Sequence, residues 1–185
     1  MSFILWFTGL SGAGKSTLAQ SVSKALRQRG VGRLEVLDGD EVRTHISAGL
    51  GFSREDRRTN ILRIGYVARL LSRNGTVAIT AAISPYTADR EEVRAASSAP
   101  FVEVYAAASL EAVAARDVKG LYKKAFAGEI QNFTGVSDPY EAPSRADIVV
   151  DTGTETVEES TRKILAGLES LGLIEKPKQQ SEARP

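Results

Sequence analysis

The chain has 185 residues, of which 42% are apolar and 25% are charged, an ordinary composition for one α/β domain with a buried core. Its 24 basic and 23 acidic residues leave a formal charge of +1, so the net charge gives no reason to expect nucleic acid or a membrane as a partner. The absence of cysteine excludes disulfides and thiolate metal sites, and the single histidine, His45, excludes a histidine cluster.

The first predicted strand, residues 3–8, is followed at once by a motif for phosphate binding. The apolar run 3–7 is too short for the core of a signal peptide and no later run could span a membrane, so we expect a cytoplasmic protein. Residues 9–16 read GLSGAGKS and fit the spacing G-x-x-x-x-G-K-[ST]. Glycines let backbone N–H groups surround an anion, and the helix that follows adds its positive N-terminal end.

This phosphate loop predicts a nucleotide site. Lys15, a predicted catalytic residue, would reach the β- and γ-phosphates of ATP, and Ser16 would bind Mg²⁺. The alternative, a glycine-rich turn with a chance lysine, does not account for the strand before the motif and the patterned helix after it. The residues assigned to ATP in the loop are Gly9, Leu10, Ser11, Gly12, Ala13, Gly14, Lys15, Ser16 and Thr17. GTPases, ATPases and kinases share this loop, so the acceptor has to be inferred from other residues.

Apolar runs alternate with amphipathic helical patterns along the rest of the chain, which predicts βαβ units and a parallel sheet. The helix after Lys15 ends at Gly30. Ser53 opens a second helix, and Thr156 opens the last one in a capping box with Glu159. We predict a P-loop, doubly wound α/β fold with helices on both faces of five parallel strands, near residues 3–8, 34–37, 76–83, 101–106 and 147–151.

Residues 117–146 fit this alternation poorly, because they hold several glycines and prolines, short helical pieces and no clear strand. A long irregular insertion in a compact domain is usually functional, and we expect this one to be a lid. We expect residues 1–175 to form a single domain that includes it. Residues 176–185 lack apolar periodicity and are expected to be a flexible polar tail.

Two carboxylates, Asp38 and Asp40, follow the second predicted strand. Ligands of parallel sheets bind at the carboxyl ends of the strands, so both side chains should face the nucleotide. Asp38 is the predicted Mg²⁺ ligand beside Ser16, and Asp40 could accept the proton of an attacking hydroxyl. The alternative is a solvated turn in which Asp40 caps the next helix.

An arginine cluster and a serine are further acceptor candidates. The cluster lies around the start of the helix that Ser53 opens, and it could hold an anionic acceptor through bidentate contacts; its members are Arg43, Arg54, Arg57 and Arg58. The alternative is a helix surface with ion pairs between neighbouring turns, among residues 54–58. Ser84, at the end of the third strand, either hydrogen-bonds the substrate or caps the helix near Asp89.

Six segments occur in the order and at the spacing of adenylylsulfate kinases: FTGLSGAGKSTLA, LDGDEVR, GFSREDRRTNILRI, ISPYTADREEVR, RDVKGLYKKAFAGEIQNFTG and DPYEAP. The chain resembles this family over about residues 3 to 150. The phosphate loop is generic, whereas the turn 84–86 and the run 119–124 are distinctive. Three positions depart from the residues usual in the family: Glu41 stands in place of Asn, Ala82 in place of Phe, and Thr87 in place of Arg.

The resemblance implies transfer of the γ-phosphoryl group of ATP, with Mg²⁺, to the 3′-hydroxyl of adenosine 5′-phosphosulfate (APS), giving 3′-phosphoadenylyl sulfate. It implies that Asp40 contacts the acceptor ribose and is the base. Ser84 matches the family's proposed phosphoserine, but no base lies near it in the sequence, and in-line transfer requires only positioning and charge stabilisation. Family members often form homodimers, and a sulfurylase would supply the APS.

The resemblance also implies the rest of the acceptor site. Phe52 and Phe133 would enclose the adenine, and Arg116 would lie in the lid near ATP. The phosphosulfate would be held by Arg43, Arg57 and Asn60, and the site would be completed by Ile83, Ser84, Lys119 and Leu121.

Two other functions stay open from the sequence. One is another small-molecule kinase of the same fold, whose acceptor would not be an adenine held between Phe52 and Phe133. The other is a catalytically silent, regulatory nucleotide-binding module. The intact set of Lys15, Ser16 and the two carboxylates argues against the silent module.

Overall fold

The computed structural model describes residues 2–176 and contains one sheet of five parallel strands in the order β2-β3-β1-β4-β5. This confirms the predicted α/β architecture. Of the expected tail, all but the first residue lies outside the described residues. The strands are β1 (Ile4–Thr8), β2 (Leu34–Asp38), β3 (Val77–Ala81), β4 (Phe101–Ala107) and β5 (Ile148–Asp151).

Helices cover both faces of the sheet. They are α1 (Lys15–Gln28), α2 (Gly39–His45), α3 (Arg54–Arg73), α4 (Thr87–Ala95), α5 (Leu110–Arg116), α6 (Leu121–Phe126) and α7 (Val157–Ser170). One face packs against α1 and α7, and the other against α3 and α4. Successive side chains of a strand point to opposite faces, so Leu5 and Phe7 of β1 enter the first core and Ile4 and Trp6 enter the second.

The predicted helix ends are confirmed where a local signal marks them. The Ser53 hydroxyl accepts a hydrogen bond from the Asp56 N–H at the start of α3. Thr156 and Glu159 form a reciprocal capping box at the start of α7. Gly30 follows the last residues of α1 with a φ of 86°, a left-handed conformation that glycine adopts without a steric cost.

Strand β3 is shorter than the predicted run 76–83. It ends at Ala81, because the chain turns out of the sheet and reaches Ser84 with a φ of 42°. The turn 84–86 therefore stands above the carboxyl end of the sheet, next to the phosphate loop that follows β1.

Residues 117–146 are irregular, as the sequence predicts. They contain the short helix α6 and one isolated bridge, between Thr134 and Asp138, and otherwise turns, bends and irregular chain. The segment returns to the sheet through a backbone hydrogen bond from the Glu141 N–H to the Pro85 carbonyl, 2.8 Å long. It thus packs across the carboxyl end of the sheet, against the turn 84–86.

Candidate active site

The phosphate loop joins β1 to α1 and is shaped by close backbone contact. A Cβ placed on Gly9 would lie 2.6 Å from the Ala106 carbonyl oxygen, so only glycine fits there. Gly14 is the N-cap residue of α1 with a φ of 81°. The loop therefore lies at the free N–H groups of a helix N-terminus, which is a site for an anion.

Lys15 is buried, with 8% of its surface exposed, and its ammonium group donates a 2.7 Å hydrogen bond to the Leu10 carbonyl. Burial, together with the positive charge of Lys119, lowers the pKa of Lys15 to about 8. The carboxylates of Asp38 and Asp40 oppose this shift in pKa. A bound polyanion would stabilise the charged form of this buried ammonium group.

Asp38 links the phosphate loop to α2 with both of its carboxylate oxygens. Oδ1 accepts the Asp40 N–H at 2.9 Å and caps α2, and Oδ2 accepts the Ser16 hydroxyl at 2.5 Å. The alternative in which Asp40 is the cap is therefore wrong, because the cap is Asp38. The two predicted Mg²⁺ ligands, Ser16 and Asp38, are in direct contact.

Asp40 lies in the first turn of α2 and forms an ion pair with Lys119 from the segment 117–146. Both side chains are largely exposed, at 75% and 53%. Exposed pairs contribute little net stability, so this one can open at small cost when another group approaches either residue. The Asp40 carboxylate is thus available to a substrate hydroxyl.

The arginine cluster divides into two pairs. Arg43 and Arg57 both stack on the ring of Phe52, at 4.4 and 5.5 Å, and line one cleft. Burial lowers the pKa of both guanidinium groups from its ordinary value, yet arginine keeps its charge in proteins. Arg54 instead stacks on Tyr86, and Arg58 pairs with Asp89 and Glu92 of α4.

The alternative of ion pairs within residues 54–58 is wrong, because among the described residues the carboxylate partners of Arg58 lie in α4. Arg57 also reaches across the cleft. It donates to the Asn132 carbonyl and lies 3.5 Å from the Asp138 carboxylate, so it is bonded to the segment 117–146.

Ser84 is buried, at 1% exposed, under the floor of the cleft. Its hydroxyl accepts a 3.1 Å hydrogen bond from the indole N–H of Trp6, and Arg90 donates to its carbonyl at 2.7 Å. Helix α4 begins after Tyr86 without a side-chain cap, so the alternative that Ser84 caps this helix is wrong. The hydroxyl is engaged with the core rather than with a base.

A cleft of about 450 Å³ brings the predicted residues together. The structure leaves four residues of the predicted site out of its lining. Gly9, Leu10 and Ala13 belong to the phosphate loop but do not line the cleft, and Arg116 donates to the Thr152 carbonyl after β5. The predicted residues that line the cleft are Ser11, Gly12, Gly14, Lys15, Ser16, Thr17, Asp38, Asp40, Arg43, Phe52, Arg57, Asn60, Ile83, Ser84, Lys119, Leu121 and Phe133.

Several groups around the cleft were not predicted. The Tyr122 hydroxyl donates to the Ser11 carbonyl at 2.8 Å, and the Tyr86 hydroxyl donates to Asp138 at 2.8 Å. The Tyr140 hydroxyl shares a hydrogen bond with Thr8 at 2.9 Å. All three tyrosines lie inside the segments that carry the family resemblance. That position in the sequence could have marked them as residues of the site.

The sequence model of the family described as adenylylsulphate kinase matches residues 1–151. The chain belongs to the adenylylsulphate kinase family. It is 56% identical to the adenylyl-sulfate kinase of Myxococcus xanthus, over 94% of each chain. It is 64% identical to a probable bifunctional SAT/APS kinase of Sorangium cellulosum, over 93% of this chain but only 29% of that relative's length.

A solved member of the adenylylsulphate kinase family has the same fold. The Mycobacterium tuberculosis APS kinase, determined in complex with AMPPNP and APS, is 39% identical, with a TM-score of 0.86 over 91% of this chain and 98% of that one. This family of kinases consists of ATP-dependent phosphotransferases, and the chain belongs to that class of enzyme. No helix among residues 2–176 is long and apolar enough to cross a membrane.

Proposed function

We propose that this cleft transfers the γ-phosphoryl group of ATP to the 3′-hydroxyl of APS, giving ADP and 3′-phosphoadenylyl sulfate. One observation carries the proposal. A single cleft is lined by the phosphate loop, by the Asp40 carboxylate, and by two arginines with two aromatic rings. The phosphate loop matches the polyanionic donor, the Asp40 carboxylate matches the attacking hydroxyl, and the arginines with the aromatic rings match an acceptor that is both aromatic and anionic.

The donor end would be held by the loop amides and by Lys15, whose charge would lie against the β- and γ-phosphates. Ser16 and Asp38 bring two oxygen atoms side by side, and oxygen is the ligand atom that Mg²⁺ prefers. No group of three or more Asp, Glu or His side chains that could hold a metal ion occurs among residues 2–176, so phosphate oxygens and water would complete the coordination. The ion would neutralise charge on the transferred group.

The acceptor end would orient the 3′-hydroxyl toward the γ-phosphorus. Asp40 would take the proton of the 3′-hydroxyl while the hydroxyl oxygen bonds to the γ-phosphorus and the bond from that phosphorus to the ADP oxygen breaks. Phe52 and Phe133 would enclose the adenine. The guanidinium groups of Arg43 and Arg57, with the Asn60 amide, would hold the phosphosulfate.

The remaining predicted residues would complete this arrangement. Lys119 would leave Asp40 and face the anions, while Ile83, Ser84 and Leu121 form the floor and wall of the acceptor site. The segment 117–146 would act as a lid of the single domain 1–175, excluding water from the reacting groups. Arg116 would turn from the loop after β5 toward ATP.

The test is ADP release with a panel of acceptors: APS, AMP, shikimate, gluconate and nucleoside monophosphates. We expect clear preference for APS. Preference for another acceptor would identify a different small-molecule kinase of this fold. ATP binding without turnover on any acceptor would identify a regulatory nucleotide-binding module.

Paired arginine variants make the acceptor test specific. Each lost charge-assisted contact costs about 1.5–3 kcal/mol, so Arg57→Ala should reduce kcat/KM for APS roughly tenfold or more. ATP affinity should stay nearly unchanged. Arg63→Ala, which removes an exposed guanidinium of α3 outside the cleft, is the matched control. Equal losses in the two variants would contradict the assignment of Arg57.

The assembly and setting of the enzyme follow from the family resemblance. A homodimer, a cytoplasmic location and a sulfurylase as the source of APS belong to the same proposal. The name of the Sorangium cellulosum relative, a probable bifunctional SAT/APS kinase, supports a link with a second activity. Light scattering on the eluting protein tests the dimer, and a monomer at micromolar concentration would contradict it.

A further inference from the structure

Tyr122 is a buried phenol that the proposed reaction does not use. It lies in the first turns of α6 and is 2% exposed, outside the lining of the cleft. Its hydroxyl donates a 2.8 Å hydrogen bond to the carbonyl of Ser11 in the phosphate loop, 111 residues away in sequence. Burial raises the pKa of Tyr122 to about 12, so the phenol keeps its proton at working pH.

The ring of Tyr122 is fixed independently of its hydroxyl. It meets the ring of Phe133 edge-on, with centroids 5.0 Å apart and planes at 80°, and it packs within the first core. The Tyr122 N–H donates to the Asp117 carboxylate at 3.0 Å. The ring could pack in this way without the hydrogen bond from the hydroxyl to the Ser11 carbonyl. The hydroxyl therefore has a role separate from that of the ring.

That task concerns one peptide group. The Ser11 carbonyl and the Gly12 N–H belong to the same planar peptide and point in opposite directions, since this peptide is trans. The carbonyl is turned to Tyr122, behind the loop. The Gly12 N–H is therefore directed to the cleft that Ser11 and Gly12 line.

We propose that Tyr122 is a positioning residue of the phosphate loop, whose hydroxyl holds the Ser11–Gly12 peptide with its N–H toward the phosphates of ATP. Gly12 has a φ of 73°, in a region where glycine can change conformation easily, so an external hydrogen bond decides its orientation. Tyr122 belongs to the segment 117–146 and supports Phe133. When the segment 117–146 packs over the cleft, it therefore positions both the phosphate loop, which binds the donor, and the ring of Phe133, which binds the acceptor.

The inference rests on the proposed function in taking ATP as the donor, and the variant Tyr122→Phe tests it. This change removes the hydroxyl and keeps the ring against Phe133. One hydrogen bond contributes about 0.5–1.5 kcal/mol, so the Kd for AMPPNP, measured by calorimetry without acceptor, should rise by a factor of about 2 to 13. The KM for APS should change less than about twofold. Tyr66→Phe, at an exposed phenol of α3, is the matched control and should match the wild type.

Two further readouts separate positioning from loss of stability. Calorimetric stoichiometry reports the folded fraction, so a less stable variant still yields a valid Kd. Hydrogen exchange should show weaker AMPPNP protection of residues 9–16 in Tyr122→Phe. An unchanged Kd with unchanged protection, or equal losses for ATP and APS, would overturn the inference. If the wild type binds AMPPNP but does not phosphorylate APS, the proposed function fails while the test of Tyr122 still stands.

Discussion

Lys15 is a single residue whose burial makes nucleotide binding dependent on pH. The charged form binds phosphate, and its pKa of about 8 lies far below that of a free lysine. ATP affinity should therefore be constant below about pH 7.5 and weaken above about pH 8.5, approaching tenfold per pH unit. Lys15→Arg keeps its charge over this range and should bind more weakly without that pH dependence. An affinity of the wild type that stays flat to about pH 9.5 would contradict the assignment.

Asp38 and Asp40 are two residues apart, but changing each to asparagine should impair different properties of the enzyme. Asparagine caps helices as well as aspartate does, so Asp38→Asn should keep α2 and lose mainly Mg²⁺ affinity, with activity restored by raised Mg²⁺. Asp40→Asn should lower kcat by roughly 10²–10⁴ with ATP affinity unchanged. Rates measured across a Mg²⁺ series distinguish them. The same metal response in both variants would show that the two roles are wrongly divided.

At the scale of elements, Arg90 of α4 joins three parts of the chain. Its guanidinium group bonds Glu103 of β4 at 2.7 Å, the Ser84 carbonyl at 2.7 Å and the Glu141 carbonyl at 2.8 Å. Arg90 and Glu103 are both buried. Arg90→Met would remove the 2.7 Å partner of the buried Glu103 carboxylate and leave it only Arg94, at 3.7 Å, so it should cost about 3 kcal/mol of unfolding free energy.

Urea denaturation measures this loss of unfolding free energy, and two further variants provide the comparison. Arg29→Met removes a more exposed pair, between the C-cap residue of α1 and Glu169 of α7, and should cost less than about 1 kcal/mol. Combining Arg90→Met with Glu103→Leu should recover part of the loss, because no buried charge remains. Similar costs for Arg90→Met and Arg29→Met would mean that the buried pair contributes no more than a surface pair.

At the scale of the whole molecule, Trp6 reports on folding. It is the single tryptophan, it lies fully buried on the central strand, and β1 contributes side chains to both cores. If residues 2–176 unfold as one cooperative unit, tryptophan fluorescence and far-ultraviolet circular dichroism should give the same urea midpoint. Two separate midpoints would mean that the segment 117–146, or another part, unfolds independently of the sheet.

Patterns confined to a few neighbouring residues were sufficient for much of this protein. The alternation of apolar runs with amphipathic patterns predicted a parallel sheet, and the signals at Ser53 and Thr156 predicted helix starts, all of which the structure confirms. The six motifs identified the family, which the comparisons confirm. Local geometry decides such features, because strand periodicity and helix caps involve residues only two to four positions apart.

Partners distant in sequence had to come from the tertiary structure. Local rules left open ion pairs among residues 54–58 and a helix cap at Asp40 as alternatives. The structure rules out both, because Arg58 bonds α4 and Asp38 is the cap, and Arg57 bonds the Asn132 carbonyl. The contact between Tyr122 and Ser11 was not predicted at all. By itself, the sequence determined the elements, the phosphate loop and the family. Only the folded chain decided which charge or hydroxyl meets which group, because those distances depend on how the sheet and the segment 117–146 pack together.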